Sequence, residues 1–238
     1  MKIFAHRGFS GVYPENTMLA FEKAVEAKSD GIELDIHLSK DGKLIVIHDE
    51  ELIRTTGALG KVCDYTRDEL VKINAGKTKE DKFGFTPIVD FEKYCNYIKN
   101  KNIITNIEIK TNNMYYPGIE ESALDLVKKY NLEEKVIFSS FNWLSVVKIK
   151  KLAPYIKTAL LQERFLTENI GELEKSFGFD YFHPDGRLLD EKTVKDCTKN
   201  EIKVNAWAVN ELELFLKLKN YNMYGIITNY PDLMLKNR

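Results

Sequence analysis

Residues 135–161 decide the fold: Lys135-Val136-Ile137-Phe138-Ser139-Ser140, then Trp143-Leu144-Ser145-Val146-Val147-Lys148-Ile149-Lys150-Lys151-Leu152, then Ile156-Lys157-Thr158-Ala159-Leu160-Leu161. Two short apolar runs of strand length bracket a helix-length block, which is one βα unit followed by the next strand. The same rhythm continues in both directions. Strands are predicted near residues 3, 32, 104, 136, 157, 180, 203 and 225. Between and after them fall helices at 17–28, 90–100, 119–130, 143–152, 168–176, 191–199 and 211–218, with a terminal helix from Pro231. Short apolar strands separated by helices imply a parallel sheet, and eight without an edge-strand signature imply a closed (β/α)8 TIM barrel. A doubly wound open sheet is the alternative, but no Gly-rich dinucleotide loop follows the first strand.

Residues 49–88 break the rhythm and read as a small insertion after the second strand. They hold a capping box, Thr66-Arg67-Asp68-Glu69, and a polar stretch, Gly76–Asp81. Ahead of them, Lys40-Asp41-Gly42-Lys43 reads as a hairpin turn. The insertion is expected on the catalytic side, too polar to add much core. No linker or shorter repeat is visible, so residues 1–238 are read as a single domain.

Composition narrows the function classes. The chain has 238 residues, 44% of them hydrophobic, and 35 basic side chains against 36 acidic ones for a net charge of -1. That balance argues against nucleic acid as a partner. No apolar run is long enough for a membrane span. A strand begins within two residues of the N-terminus, which leaves no room for a secretory signal. Cys63, Cys95 and Cys197 are far apart and fit no metal pattern. A cytoplasmic protein with reduced thiols is the expectation; nothing in the sequence decides the oligomeric state.

Chemistry-bearing residues gather where strands end. His6-Arg7 close the first strand. In Gly31-Ile32-Glu33-Leu34-Asp35-Ile36-His37, alternation puts Glu33, Asp35 and His37 on one face, successive members about 6.6 Å apart. Leu44-Ile45-Val46-Ile47 runs into His48-Asp49, and the strand at Ile104 carries Glu108 and Lys110 on one face. His183, Trp207 and Thr228-Asn229 are expected across the mouth. Active sites of this fold lie at the C-terminal rim of the strands. Three carboxylates so close must neutralise or share a cation. An all-oxygen set favours one hard divalent ion, Mg2+ or Ca2+, over zinc. Arg7 and Lys110 would add positive charge and select phosphate, while His6 and His48 suit general base and general acid. The expected reaction class is metal-assisted phosphoester cleavage.

His6-Arg7-Gly8, Pro14-Glu15-Asn16-Thr17, Glu33-x-Asp35, His48-Asp49, Arg54-Thr55-Thr56-Gly57, Glu108-x-Lys110 and the late Trp207 together resemble the glycerophosphodiester phosphodiesterase family. The resemblance runs in order over most of the chain and is densest before residue 111. It implies a TIM barrel with an insertion after the second strand. It also implies hydrolysis of small-molecule glycerophosphodiesters, such as deacylated phospholipids, to glycerol 3-phosphate and an alcohol. By resemblance Glu33, Asp35 and Glu108 bind the divalent metal, His6 and His48 are the acid–base pair, and Arg7 and Lys110 bind phosphate. Trp207 is expected to stack on substrate. Asn16 or Thr17 is expected to cap the first helix, with Glu15 behind the site. The roles of His37, His183 and Phe141 stay open. Near the end, Tyr224 and Asn229 stand where many members have acids, which puts any role of those acids in doubt. A lyase on the same barrel, releasing a cyclic phosphate, would share nearly the whole residue set. A non-catalytic binding barrel would be expected to lack one of these histidines or carboxylates. A phosphosugar-isomerase type would need a Gly-rich phosphate cradle after the last two strands.

Overall fold

The first strand, β1 (Lys2–His6), is paired along both of its edges. A computed structural model, which describes residues 1–165 and 167–238, sets out the rest of the chain. It runs α1 (Met18–Glu26), β2 (Gly31–Leu38), β3 (Leu44–Val46), α2 (Ile53–Thr56), α3 (Arg67–Leu70), β4 (Val89–Asp90), α4 (Phe91–Ile98) and β5 (Ile104–Ile109). Then come α5 (Ile119–Lys129), β6 (Val136–Ser140), α6 (Trp143–Leu152), β7 (Lys157–Gln162), α7 (Ile170–Ser176) and β8 (Tyr181–Pro184). Last are α8 (Glu191–Lys199), β9 (Lys203–Ala206), α9 (Leu212–Lys219), β10 (Gly225–Thr228) and α10 (Pro231–Lys236). Strands β1, β10, β9, β8, β7, β6, β5 and β2 pair in that order, all parallel, and the β1–β2 pairing closes the ring. The expected (β/α)8 barrel is what forms.

Alternation sorts the side chains. Ile32, Leu34 and Ile36 of β2 pack outward with Phe21 of α1 and Tyr94 of α4 in the core between strands and helices. Phe4, Ile137, Ala159, Tyr181 and Ile227, from five different strands, meet inside the barrel. Glu33 and Asp35 alternate with the outward set and so project into the lumen. Asp35 lies opposite Glu108 in the β2–β5 register, and His6 opposite Glu33 in the β1–β2 register. Strand pairing alone therefore brings these four residues to one quadrant of the rim.

The segment after β2 departs from one expectation. β3 folds back antiparallel on β2 through the Asp41-Gly42 turn, and β4 pairs antiparallel with β3. The capping box forms, with the Glu69 carboxylate accepting from the Thr66 backbone N–H at 2.8 Å. The insertion is not short of core, however. Leu52, Val62, Leu70, Ala75 and Ile88 bury themselves against Ile45 and Ile47 as a separate apolar cluster. The polar run misled because the apolar residues sit on both sides of it, too widely spaced to show a period.

His183 also corrects the sequence reading. It belongs to the lumen of the barrel rather than to its mouth and has no exposed surface. Burial pushes its imidazole down to about 3, so the ring is neutral at ordinary pH.

Candidate active site

The loop after β1 is shaped to serve its neighbours. Arg7 adopts a left-handed backbone with φ 54°, which is uncommon for a residue with a side chain. That turns its N–H onto Glu33 Oε2 at 2.8 Å. Gly8 follows at φ +79°, and a Cβ there would meet the Ala20 backbone at 2.7 Å. Only glycine fits, which explains the third member of His6-Arg7-Gly8. Thr17, not Asn16, caps α1, accepting from the Ala20 N–H. Asn16, left-handed at φ 55°, instead donates its side-chain amide to Asp35 Oδ2 at 2.8 Å.

Glu33, Asp35 and Glu108 form a buried acidic cluster, with one oxygen from each within 4.8 Å of the others. Burial, then the charges of Asp35 and Glu108, push Glu33 well above the usual carboxylate range. Burial likewise raises Glu108, against the pull of Lys110. For Asp35 burial is overcome by His48, Arg7 and Lys110 together, and its carboxyl is held low. Protein cations alone therefore do not offset the crowding of the three acids. Lys110 Nζ reaches Glu108 Oε1 at 2.8 Å and lies 3.7 Å from Asp35 Oδ1. Asp35 Oδ1 is nevertheless buried with no hydrogen-bond partner. This donor set suits a hard divalent cation: three converging oxygens, one of them free, with excess negative charge.

The two histidines flank the cluster and are held differently. His6 Nδ1 lies 2.7 Å from Asn229 Oδ1. An amide oxygen only accepts, so the proton sits on Nδ1 and leaves Nε2 as an acceptor, 3.8 Å from Glu33. Burial, then Arg7, drives His6 down to about 3. His48 Nδ1 lies 2.5 Å from the Asp49 carboxylate, and its Nε2 is 3.2 Å from Lys110 Nζ. The His48 ring is thus held by a charged carboxylate where the His6 ring is held by a neutral amide. His37, below, takes no place in the cleft: its ring bonds Tyr116 Oη and the His48 carbonyl oxygen, which fixes the backbone that carries His48.

A further layer of ion pairs was not legible as such. Arg54, from α2 of the insertion, grips Glu15 with both terminal nitrogens at 2.8 Å and also holds Asp49. Glu15 in turn accepts from Arg7 Nη1 at 2.8 Å. One guanidinium thus braces both Arg7 and the partner of His48, and it pulls Glu15 down to about 2 despite that residue's burial. The insertion is mechanically tied to the site, so its removal would disturb more than substrate choice. Asp49→Asn should lose about 10²-fold in kcat, because His48 loses the carboxylate that fixes its ring and tautomer. Arg54→Lys should lower kcat by a smaller factor and broaden the acid limb of the pH profile, since an ammonium cannot grip two carboxylates at once. Steady-state kinetics across pH would check both; an unchanged kcat in Asp49→Asn would remove Asp49 from the site.

These residues border a cleft of about 430 Å3 lined by His6, Arg7, Glu33, His48, Glu108, Lys110 and Trp207. Every candidate picked from the sequence is in this lining except Asp35, which is fully buried behind it. Trp207 donates its indole N–H to the His183 carbonyl oxygen at 2.8 Å and packs edge-on against Phe141 at 5.3 Å, so one ring face is left for the cleft wall. Sequence reasoning left Asn106 and Asn229 without a role. Asn106 lies on the floor, two residues before Glu108 on β5, and the spacing could have found it. Asn229 orients His6 from the far end of the chain, and only its neighbourhood to Thr228 hinted at that.

The chain is similar to known proteins of one family. The model of the glycerophosphoryl diester phosphodiesterase family matches residues 6–233. A glycerophosphodiester phosphodiesterase of Caldanaerobacter subterraneus subsp. tengcongensis is 40% identical over 233 residues, covering 98% of this chain and 96% of its own. One from Bacillus altitudinis is 36% identical, covering 100% and 98%. Among solved structures, a phosphodiesterase of Oleispira antarctica, in complex with the product sn-glycerol-3-phosphate, superposes with a TM-score of 0.90 at 26% identity, over 99% of this chain and 96% of that one. By extent of match, order of motifs and fold, the chain belongs to the glycerophosphoryl diester phosphodiesterase family and is a phosphoric diester hydrolase.

Proposed function

We propose that this cleft hydrolyses glycerophosphodiesters to glycerol 3-phosphate and an alcohol, in a divalent-cation-dependent reaction with His6 and His48 as the acid–base pair. The observation that carries the reading is the buried Glu33, Asp35 and Glu108 cluster set between two histidines that differ in their Nδ1 partners. Glu33, Asp35 and Glu108 would hold Mg2+ or Ca2+, which when bound would supply Lewis-acid polarisation of the phosphoryl group and offset its charge. Arg7 and Lys110 bind the phosphate and offset its charge. His6, neutral and with Nε2 free, takes a proton from the attacking water, whose oxygen bonds to phosphorus as the bond from phosphorus to the alcohol oxygen breaks. His48, backed by Asp49, gives a proton to the oxygen of the leaving alcohol. Trp207 and Phe141 close the side of the cleft away from the cation and bound the glycerol. The product found in the Oleispira antarctica neighbour supports glycerol 3-phosphate as the retained half. The three separate thiols accord with a cytoplasmic setting.

Product analysis tests the reading. A glycerophosphodiester incubated with the pure protein and a divalent cation should yield free alcohol and glycerol 3-phosphate in equal amounts, followed by phosphorus NMR. A five-membered cyclic phosphate as the final product would make the protein a lyase, and no turnover of any glycerophosphodiester would overturn the assignment.

A further inference from the structure

A second cavity, of about 750 Å3, lies on the other side of Phe141 and shares Phe141, Leu161 and Glu163 with the catalytic cleft. Its character is different. Trp143 packs edge-on against Phe177 at 5.3 Å, and Phe177 stacks on Phe179 at 5.6 Å, so aromatic rings from the start of α6 and the end of α7 form much of the wall. Two polar side chains line this apolar space without partners among the described residues. Glu174 of α7 is 1% exposed and neither carboxyl oxygen has a hydrogen bond. Gln162, the last residue of β7, is 5% exposed and both its amide atoms are likewise unpaired. Nothing in the catalytic machinery uses either residue. Buried carboxyl and amide groups are almost always hydrogen-bonded, so a pair of orphans facing one cavity calls for an explanation.

We propose that this cavity is a ligand site for a small molecule that joins an alkyl or aromatic body to a protonated amine, the amine seated between Glu174 and Gln162 and the body against the rings. The alternatives satisfy the site less well. A wholly apolar ligand leaves both polar side chains unpaired, and an anion meets an acid with no nearby cation inside the cavity. A neutral alcohol supplies one donor and no charge. An ammonium supplies several donors, compensates the carboxylate, and gains further attraction from ring faces shielded from water. Glu163 and Arg164 stand exposed at the rim with opposite charges and are screened by solvent. Cys197 of α8 lies close enough to feel the Glu174 charge, and burial pushes its thiol up to about 12, so it stays neutral. Burial alone pushes Glu174 up to about 8. At pH 7 it therefore holds its proton until a cation arrives, and binding releases that proton to solvent. This inference does not depend on the reaction assigned to the neighbouring cleft.

Calorimetry on the full chain at pH 7 tests it, with 2-phenylethylamine, 2-phenylethanol and phenylacetate as probes in two buffers of different ionisation enthalpy. The amine should bind about tenfold or more tighter than the alcohol, with release of close to one proton, and phenylacetate should bind weakest. Glu174→Gln should bring the amine down to the affinity of the alcohol and abolish proton release, which also separates this site from the acidic cluster of the catalytic cleft. The variant's fold has its own check. With its pKa at about 8 against 4.5 for a free glutamate, Glu174 lets stability be full below about pH 4.5 and lost as pH rises through about 8. Glu174→Gln should therefore match the wild-type Tm in acid and exceed it in mild alkali. Equal affinity for amine and alcohol in the wild type, no binding of the amine, or a preference that survives in Glu174→Gln would each overturn the proposal.

Discussion

Excess chelator should abolish hydrolysis of glycerophosphodiesters, and Mg2+ or Ca2+ should restore it. The expectation rests on charge. Burial, with the charges of Asp35 and Glu108 on Glu33 and of Asp35 on Glu108, drives Glu33 and Glu108 upward, and a divalent cation offsets that crowding of negative charge. Glu33→Gln, Asp35→Asn and Glu108→Gln should each cost about 10³-fold in kcat/KM, the several kcal/mol that a lost cation withholds from the transition state. Asp35 should be the most sensitive of the three, because it also receives Asn16 and sits beside Arg7 and Lys110. A readout independent of turnover exists: the cation should raise the wild-type Tm in a concentration-dependent way and leave that of Asp35→Asn unmoved. Full activity in excess chelator, or an equal cation-induced rise in Asp35→Asn, would remove the metal assignment.

The two histidines should separate cleanly by substrate. His6→Ala and His48→Ala are each expected to lose about 10²-fold or more in kcat with a natural alkyl alcohol as leaving group, while cation affinity stays within a few-fold. A substrate with an activated leaving group, such as a nitrophenyl ester of glycerol phosphate, needs no proton on departure. It should restore most of the rate to His48→Ala and little to His6→Ala. The asymmetry follows from the surroundings: the Asp49 carboxylate holds the His48 ring by its Nδ1, whereas burial and then Arg7 keep the His6 ring neutral and able to take a proton. Asn229→Asp tests the same logic in reverse. A carboxylate on His6 Nδ1 should raise its affinity for a proton and move the acid limb of the kcat profile to higher pH. Rescue of His6→Ala alone would exchange the two roles, and equal rescue of both would show that neither histidine donates to the leaving group.

Much of this protein was decided by local pattern. The period-2 alternation in Gly31–His37 and in Ile104–Lys110 sends Glu33, Asp35, Glu108 and Lys110 to one side of their strands, because successive side chains in an extended chain must point to opposite faces. Eight repeats of strand and helix then leave few ways to pair, and the right-handed crossover rule closes them into a ring. The acidic cluster and the two histidines could thus be named before any coordinate was known. Contacts that cross the ring could not. Asn229 meets His6 across 223 positions only because β10 closes on β1, and no periodicity links the two ends of a chain. Arg54 reaches Glu15 and Asp49 from an insertion whose path is set by its own small apolar cluster. Glu174 reads as an ordinary solvated helix residue until packing of α7 against its neighbours buries it without a partner. The sequence by itself determined which residue types reach the rim, through backbone geometry that acts within a strand. The tertiary structure alone decided which of them touch, which partner holds each imidazole and which acid is stranded in an apolar wall, because those depend on distances and desolvation that arise only when remote segments close on one another.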